Sequence, residues 1–305
     1  MSAPTLRAVS SEDDLERIAR LKGQIDPILE SSVEEIRFLT ARLGGARLLM
    51  AELDGEPAGF GLVGVSPEQD EEPFAYTELG VAPDFQGRGV GAALHAALSD
   101  HARELGKSEL LLEVSEEDSG AIAFLEKRSY REVERQKAVA LNLTELDSVS
   151  VEPPTGVEIK SWVDRPDLAP DMFDLYREAN ADIPGLDAEA APSFEDWRVR
   201  ELERPARRHD LSFVALADDE LVGYATLDVF PAGGFHGLTA VARAWRRRGV
   251  GRALKRSQIA AAKAAGLERL YTESEERNEP MRRLNEELGF RPIPGMVVMR
   301  GPLVS

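Results

Sequence analysis

One segment of this chain occurs twice at a fixed spacing, and nothing else in the sequence limits the fold as strongly. Gly87-Arg88-Gly89-Val90-Gly91 returns as Arg247-Arg248-Gly249-Val250-Gly251, a spacing of 160 positions (87 to 247). At the same spacing Val81 meets Val241, Glu113 meets Glu273, Asp118 meets Asn278, and Ser129-Tyr130 meets Gly289-Phe290, so about fifty residues run without a net insertion. Upstream, Glu56-Pro57-Ala58-Gly59-Phe60 meets Glu220-Leu221-Val222-Gly223-Tyr224 at 164 positions (56 to 220), which puts a four-residue difference in the intervening loop. Loops absorb such changes. Self-similarity over this length means one supersecondary unit built twice, and 305 residues suit two compact domains of roughly 100 to 200 each.

Periodicity gives the same element order in both copies. Residues 46–53 and 57–65 alternate as strands around the turn Asp54-Gly55, and 212–217 with 221–229 repeat this around Asp218-Asp219, so each pair is expected to be a hairpin. A strand follows at 74–82 or 236–242, then the glycine-rich turn, then an amphipathic helix at 90–105 or 250–265 ending at Gly106 or Gly266. Short strands at 109–114 and 268–273, helices at 119–128 and 279–288, and closing strands at 136–143 and 296–300 complete each unit, which opens with a strand and helices at 5–43 or 156–203. Ser148 to Gly156, with Pro153-Pro154, breaks the periodicity and reads as a linker, so domains of 1–150 and 151–305 are expected.

Hydrophobic residues at 43% and charged residues at 30% are enough to bury two cores. The chain has no Cys, which removes disulfides, thiolate nucleophiles and cysteine zinc sites, and its four His fit no His-Glu-x-x-His pattern, so no metal is expected. A net charge of −18 repels polyphosphate backbones and anionic lipid, so neither nucleic acid nor membrane is expected as a partner; a cationic amine is easier to accommodate, though the acidity is equally explained by solubility alone. No apolar run approaches the roughly 18 residues of a membrane span, and the start turns acidic at Glu12-Asp13-Asp14. A cytoplasmic protein is expected, as a monomer or homodimer.

Gln86-Gly87-Arg88-Gly89-Val90-Gly91 and Arg246-Arg247-Arg248-Gly249-Val250-Gly251 each lie between a strand and a helix start. Glycines there let the backbone approach a ligand, and the first-turn N–H groups point at it with the positive end of the helix dipole behind them. That arrangement cradles a pyrophosphate; tight packing of helix on sheet would produce the same composition. The second copy adds Arg243, Arg252, Lys255 and Arg256, a basic run expected either to receive an anion or to be a solvated face. A P-loop needs a Lys-Ser/Thr pair that neither turn has, and a dinucleotide fold needs a longer Gly-x-Gly-x-x-Gly turn.

What remains, Gln/Arg-x-x-Gly-x-Gly after Leu79-x-Val81 or Thr239-x-Val241, resembles the acyl-CoA motif of the GNAT superfamily of N-acetyltransferases. Asn278-Glu279-Pro280-Met281 and Leu288-Gly289-Phe290 are similar to that family's signatures around its fourth helix. The resemblance covers nearly the whole chain, is closest in the second half, and is of the tandem class that includes mycothiol synthase. It implies an α/β (α+β) fold of two tandem GNAT-type domains, each a mixed, mostly antiparallel sheet flanked by helices. It further implies acetyl-CoA as acyl donor and no metal. Thr239, Ala240 and Val241 would offer backbone groups to the pantetheine arm and thioester, Arg246, Arg247, Arg248, Gly249, Val250 and Gly251 the pyrophosphate site, and Asn278 and Asn285 further contacts. Leu79, Val81, Gln86, Gly87, Arg88, Gly89, Val90 and Gly91 would be the counterparts in the first copy.

The departures separate the copies. Where the family often has a Tyr as general acid for the leaving thiolate, this chain has Asn285 and Leu125, and the first copy has Asp118 for Asn and Ser129-Tyr130 for Gly-Phe. The expected division is a catalytic second domain and a supporting, more degenerate first domain, with CoA binding by the first left open. Glu273, at the end of a strand where the family frequently has a Glu, is the candidate base, with Glu113 in the same place in the first copy; a solvated strand-end carboxylate is the alternative. Glu78 and His236 are secondary candidates for substrate contact, His236 being expected at a strand edge. Asn180 to Gly185 and Ser193 to Trp197 fall where the family keeps its substrate-side helices; Asp182, Asp187 and Glu189 would favour a cationic amine, and Ser193 with Asp196 reads as a helix cap. The enzyme expected acetylates a primary amine of a small molecule by direct attack. A protein or peptide N-acetyltransferase, and a non-catalytic CoA sensor or scaffold, stay open.

Overall fold

The computed structural model describes residues 3–25, 31–182 and 192–304. Packing divides them into two units: residues up to Arg135 together with those from Met296 on, and Gln136–Gly295.

The first unit contains β1 (Thr5–Ala8), α1 (Glu12–Ile25), α2 (Val33–Arg42), β2 (Gly44–Leu53), β3 (Glu56–Val65), β4 (Phe74–Val81), α3 (Val90–Glu104), β5 (Glu109–Ser115) and α4 (Ser119–Glu126). After β6 (Arg131–Asn142), the second contains β7 (Glu158–Ser161), α5 (Ala169–Asn180), α6 (Phe194–Glu201), β8 (Phe213–Ala217), β9 (Glu220–Phe230), β10 (Gly233–Val241), α7 (Val250–Ala264), β11 (Arg269–Glu275) and α8 (Glu279–Glu287), and β12 (Arg291–Pro302) follows. Both expected hairpin turns have left-handed backbone, Asp54 at φ 54° with Gly55 at 85°, and Asp218 at 49° with Asp219 at 66°, which matches the twist of the strands they join. Gly106 and Gly266 end α3 and α7 at φ 79° and 82° as expected of helix-terminating glycines. Ser193 caps α6 by accepting from the Asp196 N–H at 3.1 Å.

In the first unit the strand order is β1-β2-β3-β4-β5-β12, and in the second β6-β11-β10-β9-β8-β7. Only β4 with β5 and β10 with β11 pair in parallel; the other ladders within each unit are antiparallel. One arrangement departs from the expected closing of each copy by its own last strand. Residues Met296 to Pro302 of β12 pair with β5 in the first unit, and Gln136 to Asn142 of β6 pair with β11 in the second. The division by packing therefore differs from a cut of the chain near Val151. The physical reason is that either strand alternates suitably for either edge: Val297 and Met299 enter the first core, and Leu141 the second.

Each sheet carries helices on both faces. In the first unit α3 packs Val90, Leu94 and Leu98 on one face, and α1 with α2 packs Ile18, Leu21 and Ile36 on the other. In the second, Val250 and Leu254 of α7 cover one face, while Met172, Tyr176 and Trp197 of α5 and α6 form a core on the side that takes Ala240.

Candidate active site

The middle strands of each sheet open. β10 and β11 pair only at Gly234 with Leu270 and Phe235 with Tyr271; β4 and β5 pair from Phe74 with Glu109 to Thr77 with Leu112. Beyond those points they share no ladder. β10 also carries a bulge, since its register with β9 shifts between His236 and Thr239, setting Gly237 and Leu238 against Thr226. The ladder of β4 with β3 runs without a shift from Gly59–Val81 to Gly64–Tyr76. A bulge re-aims backbone groups beside the opening in the second half alone.

Each opening leads to a glycine turn. Gly89 and Gly249 stand as N-caps of α3 and α7 with φ 87° and 90° and no side-chain cap, so the first-turn N–H groups are left to a ligand. A Cβ at Gly87 or Gly89 would meet nothing within 4 Å, and at Gly249 only Pro154 at 3.6 Å. Packing does not require glycine at these places; left-handed backbone and open space in front of it do. At Gly91 and Gly251 a Cβ would lie 3.5 and 3.6 Å from Val81 and Val241, ordinary van der Waals contact, so packing does not demand glycine there either. Arg247 holds the conformation of Gly87, φ 62° against 70°, an uncommon state for a residue with a side chain. Val90 and Val250 are buried anchors of the two helices.

Three arginines of the basic run, Arg243, Arg246 and Arg252, are paired with carboxylates of their own unit. Asp182 takes both Nε and Nη2 of Arg243 at 2.8 and 2.7 Å and Nη1 of Arg246 at 2.7 Å, and these bonds hold its carboxyl well below the usual range. Glu178 accepts the Arg243 backbone N–H at 2.7 Å. Arg252 pairs with Glu287, Arg256 donates to the Ser150 carbonyl, and Arg248 lies over Trp245. Asp182 is thus committed to arginines instead of an amine, and Asp187 and Glu189 lie outside the described residues. Arg88 pairs with Asp54 at 2.6 Å. Arg246 also donates Nε to the Val241 carbonyl at 2.9 Å, as Gln86 does to Val81 at 3.3 Å, so both residues brace their turns.

Asn278 caps α8 by accepting from Met281 N–H at 3.3 Å, and Asp118 caps α4 from Ala121 at 2.8 Å, so this difference between the copies leaves the local structure alike. Ser129 has the left-handed φ of 66° where Gly289 has 91°, which is a real departure, since a Cβ there costs about 1 kcal/mol. Asn285 is 1% exposed and its Oδ1 finds no hydrogen-bond partner among the described residues, while Leu125 is plain core.

Glu273 lies on β11 opposite Ala138, two residues past the last pairing with β10, half-buried, and burial raises its carboxyl pKa. Glu113 is exposed. The two glutamates occupy the same place in the repeat but not the same environment. His236 is no edge residue: it is 2% exposed, bonded through Nδ1 to Gln258 Oε1 at 2.7 Å, and its pKa is pushed well below the usual value by burial and by Lys255. Lys255 itself is 1% exposed, 5.6 Å from the Phe290 ring, without a hydrogen-bond partner among the described residues, and burial lowers its pKa to about 7. Sequence reasoning counted Lys255 with the basic run. The repeat held a signal, because the corresponding residue His95 lies in the apolar run Ala92 to Leu98; it is buried too, with Nε2 2.8 Å from the Tyr130 hydroxyl.

The sequence profile of the acetyltransferase (GNAT) family matches residues 15–130 and again 169–290. The chain belongs to the GNAT acetyltransferase family. This tandem GNAT protein is 32% identical over 139 residues to aminoglycoside N(6')-acetyltransferase type 1 of Stenotrophomonas maltophilia, covering 44% of this chain and 90% of that one. It is 36% identical over 99 residues to mycothiol acetyltransferase of Geodermatophilus obscurus, covering 28% of this chain and 32% of the relative. Among solved structures, a tandem GNAT protein from the clavulanic acid biosynthesis pathway aligns over 99% of both chains with a TM-score of 0.78 at 19% identity. A GCN5-related N-acetyltransferase from Sphaerobacter thermophilus aligns over 99% of this chain and 96% of its own with a TM-score of 0.75 at 19% identity. At those identities the likeness concerns the fold, which is α/β as expected. Among the described residues, no group of His, Cys, Asp and Glu is placed to hold a metal ion, and no helix is long and apolar enough to cross a membrane.

Proposed function

We propose that the second half of the chain transfers an acetyl group from acetyl-CoA to a primary amine of a small molecule, and that the first half keeps a donor-binding turn without the same catalysis. Acetyl-CoA supplies an activated thioester. The uncapped start of α7, with Gly249 left-handed and open in front, suits its pyrophosphate, and backbone groups at Thr239 to Val241 beside the bulge suit the pantetheine arm and the thioester oxygen. The observation that carries the catalytic assignment is Glu273: a half-buried carboxylate just past the last pairing of β10 with β11, where those strands part, its pKa raised by burial. It takes the proton from the attacking amine, directly or through water. Asn285 stands where a general acid would otherwise be, so the thiolate leaves without a tyrosine; a thiol pKa of about 8.5 makes that tolerable.

Support for a small-molecule acceptor comes from the relatives, one named for an aminoglycoside and one for mycothiol. The test is turnover by Glu273→Gln, which keeps size and removes the base. Acetyl transfer should fall roughly a hundredfold or more with little change in acetyl-CoA affinity by calorimetry; near-normal turnover between pH 6 and 9 would clear Glu273. A screen of amines with labelled acetyl-CoA identifies the acceptor, and tight donor binding with no turnover of any amine would leave the sensor reading.

A further inference from the structure

The face of the first unit opposite α3 already holds an amine of its own. Lys22 of α1 places Nζ 2.6 Å from Glu78 Oε2, and the Tyr76 hydroxyl donates to Glu78 Oε1 at 3.0 Å. The Lys22 side chain is 10% exposed, and its Nζ lies 5.3 Å from the centre of the Phe60 ring. Around the pair is a small cleft of about 10 Å³, room for a single water molecule, lined by Ile18, Ile36, Leu39, Leu48, Phe60 and Leu62. Glu78 immediately follows Thr77, the last residue at which β4 pairs with β5. The ammonium therefore hangs at the point where the strands part. Leu79 and Val81 face α3, on the side of the glycine turn, whereas Glu78, opposite Leu62, faces α1. A donor seated on the α3 turn and an amine from α1 would meet through the opening. In the second half the corresponding residue is Leu238, packed in the apolar core of α5 and α6.

We propose that Lys22 is an acetylation site, served in cis by an acetyl thioester bound at the first half's own turn. The proposal rests on the reading that this turn binds acetyl-CoA. Glu78 takes one proton from the Lys22 ammonium; the freed Nζ lone pair forms a bond to the thioester carbonyl carbon, and the carbon–sulfur bond breaks. The thiolate leaves with the bonding electrons and takes the second nitrogen proton. Ammonium and thioester become an amide, a free thiol and one proton released to solvent. Despite burial, the Lys22 ammonium holds the Glu78 carboxyl below its usual range, so the proton transfer is uphill and the reaction slow, and it stops after one acetyl group per chain.

The full chain is incubated with acetyl-CoA and its peptides are mapped by mass. The chain has seven lysines, at 22, 107, 127, 137, 160, 255 and 263, so the other six serve as internal comparisons. Acetylation should concentrate on Lys22, vanish there in Gly89→Val, and slow at least tenfold in Glu78→Gln, while Gly249→Val leaves it unchanged. Calorimetry on Gly249→Val counts donor binding at the first turn independently. Binding at that turn with Lys22 unmodified overturns the proposal and leaves the donor reading intact; no binding overturns both. Modification of Lys22 that survives Gly89→Val, or that is no faster than at Lys107 and Lys127, is non-enzymatic and also overturns it. Turnover of an external amine by Gly89→Val tests the second half separately.

Discussion

Arg246 ties its Nε to the main-chain carbonyl of Val241 at 2.9 Å, so the residue that opens the second glycine turn is braced against the end of the strand before it. The first half makes the same brace with a shorter side chain, Gln86 to Val81 at 3.3 Å. The shared geometry gives the Gln/Arg position a role in holding the turn's shape.

Arg246→Ala should therefore weaken acetyl-CoA binding about three- to tenfold through loss of the brace, a hydrogen bond worth roughly 0.5–1.5 kcal/mol; the bond to Asp182 is lost in this variant and in Arg246→Gln alike. Arg246→Gln should stay near wild type, because Gln86 shows that an amide can make the brace. If both variants lose affinity equally in calorimetry, the guanidinium acts through its charge, on the ligand or on Asp182, and the brace is not what matters.

Gly249→Val should abolish donor binding at the second turn and with it the turnover of external amines, whereas Gly89→Val should spare most of that turnover. Gly249→Ala separates the causes: it adds strain of about 1–2 kcal/mol at φ 90° without the branched bulk. Thermal unfolding checks that each variant folds; loss of turnover in Gly89→Val but not in Gly249→Val would reverse the roles of the halves.

Glu273 is also a stability statement. Burial raises its folded pKa above the unfolded value near 4.3, so the folded state holds the proton more tightly and stability falls as pH rises from the unfolded value through the folded one. Glu273→Gln should be more stable than wild type at pH 7.5 and about equal at pH 4. Equal unfolding midpoints at both values would mean that the carboxylate is well solvated.

Lys255 has the opposite sign. Its folded pKa near 7 lies below an unfolded value near 10.4, so the folded state prefers the neutral amine and wild-type stability gains as pH rises from 7 toward 10. Lys255→Met, unbranched, one atom shorter and without the charge, should raise the melting temperature by several degrees at pH 7, and the advantage should shrink toward pH 10. An advantage independent of pH would show that Lys255 reaches water.

Local chemistry made much of this protein legible before any coordinates. The 160-residue spacing, 89 to 249, announced two copies, the Asp54-Gly55 and Asp218-Asp219 turns announced the hairpins, and Gly89 and Gly249 marked the helix starts, because turns, caps and periodicity depend on residues a few positions apart. The destination of β6 and β12 was not legible, since two similar copies offer each strand two suitable edges and only long-range packing selects one. Nor was the contrast between Glu273 and Glu113, identical in repeat position, one half-buried and one exposed. Lys22 and Glu78, 56 residues apart, meet only because α1 folds over β4. Charge and spacing are properties of the chain; burial, and with it pKa and reactivity, belongs to the neighbours that the fold brings in.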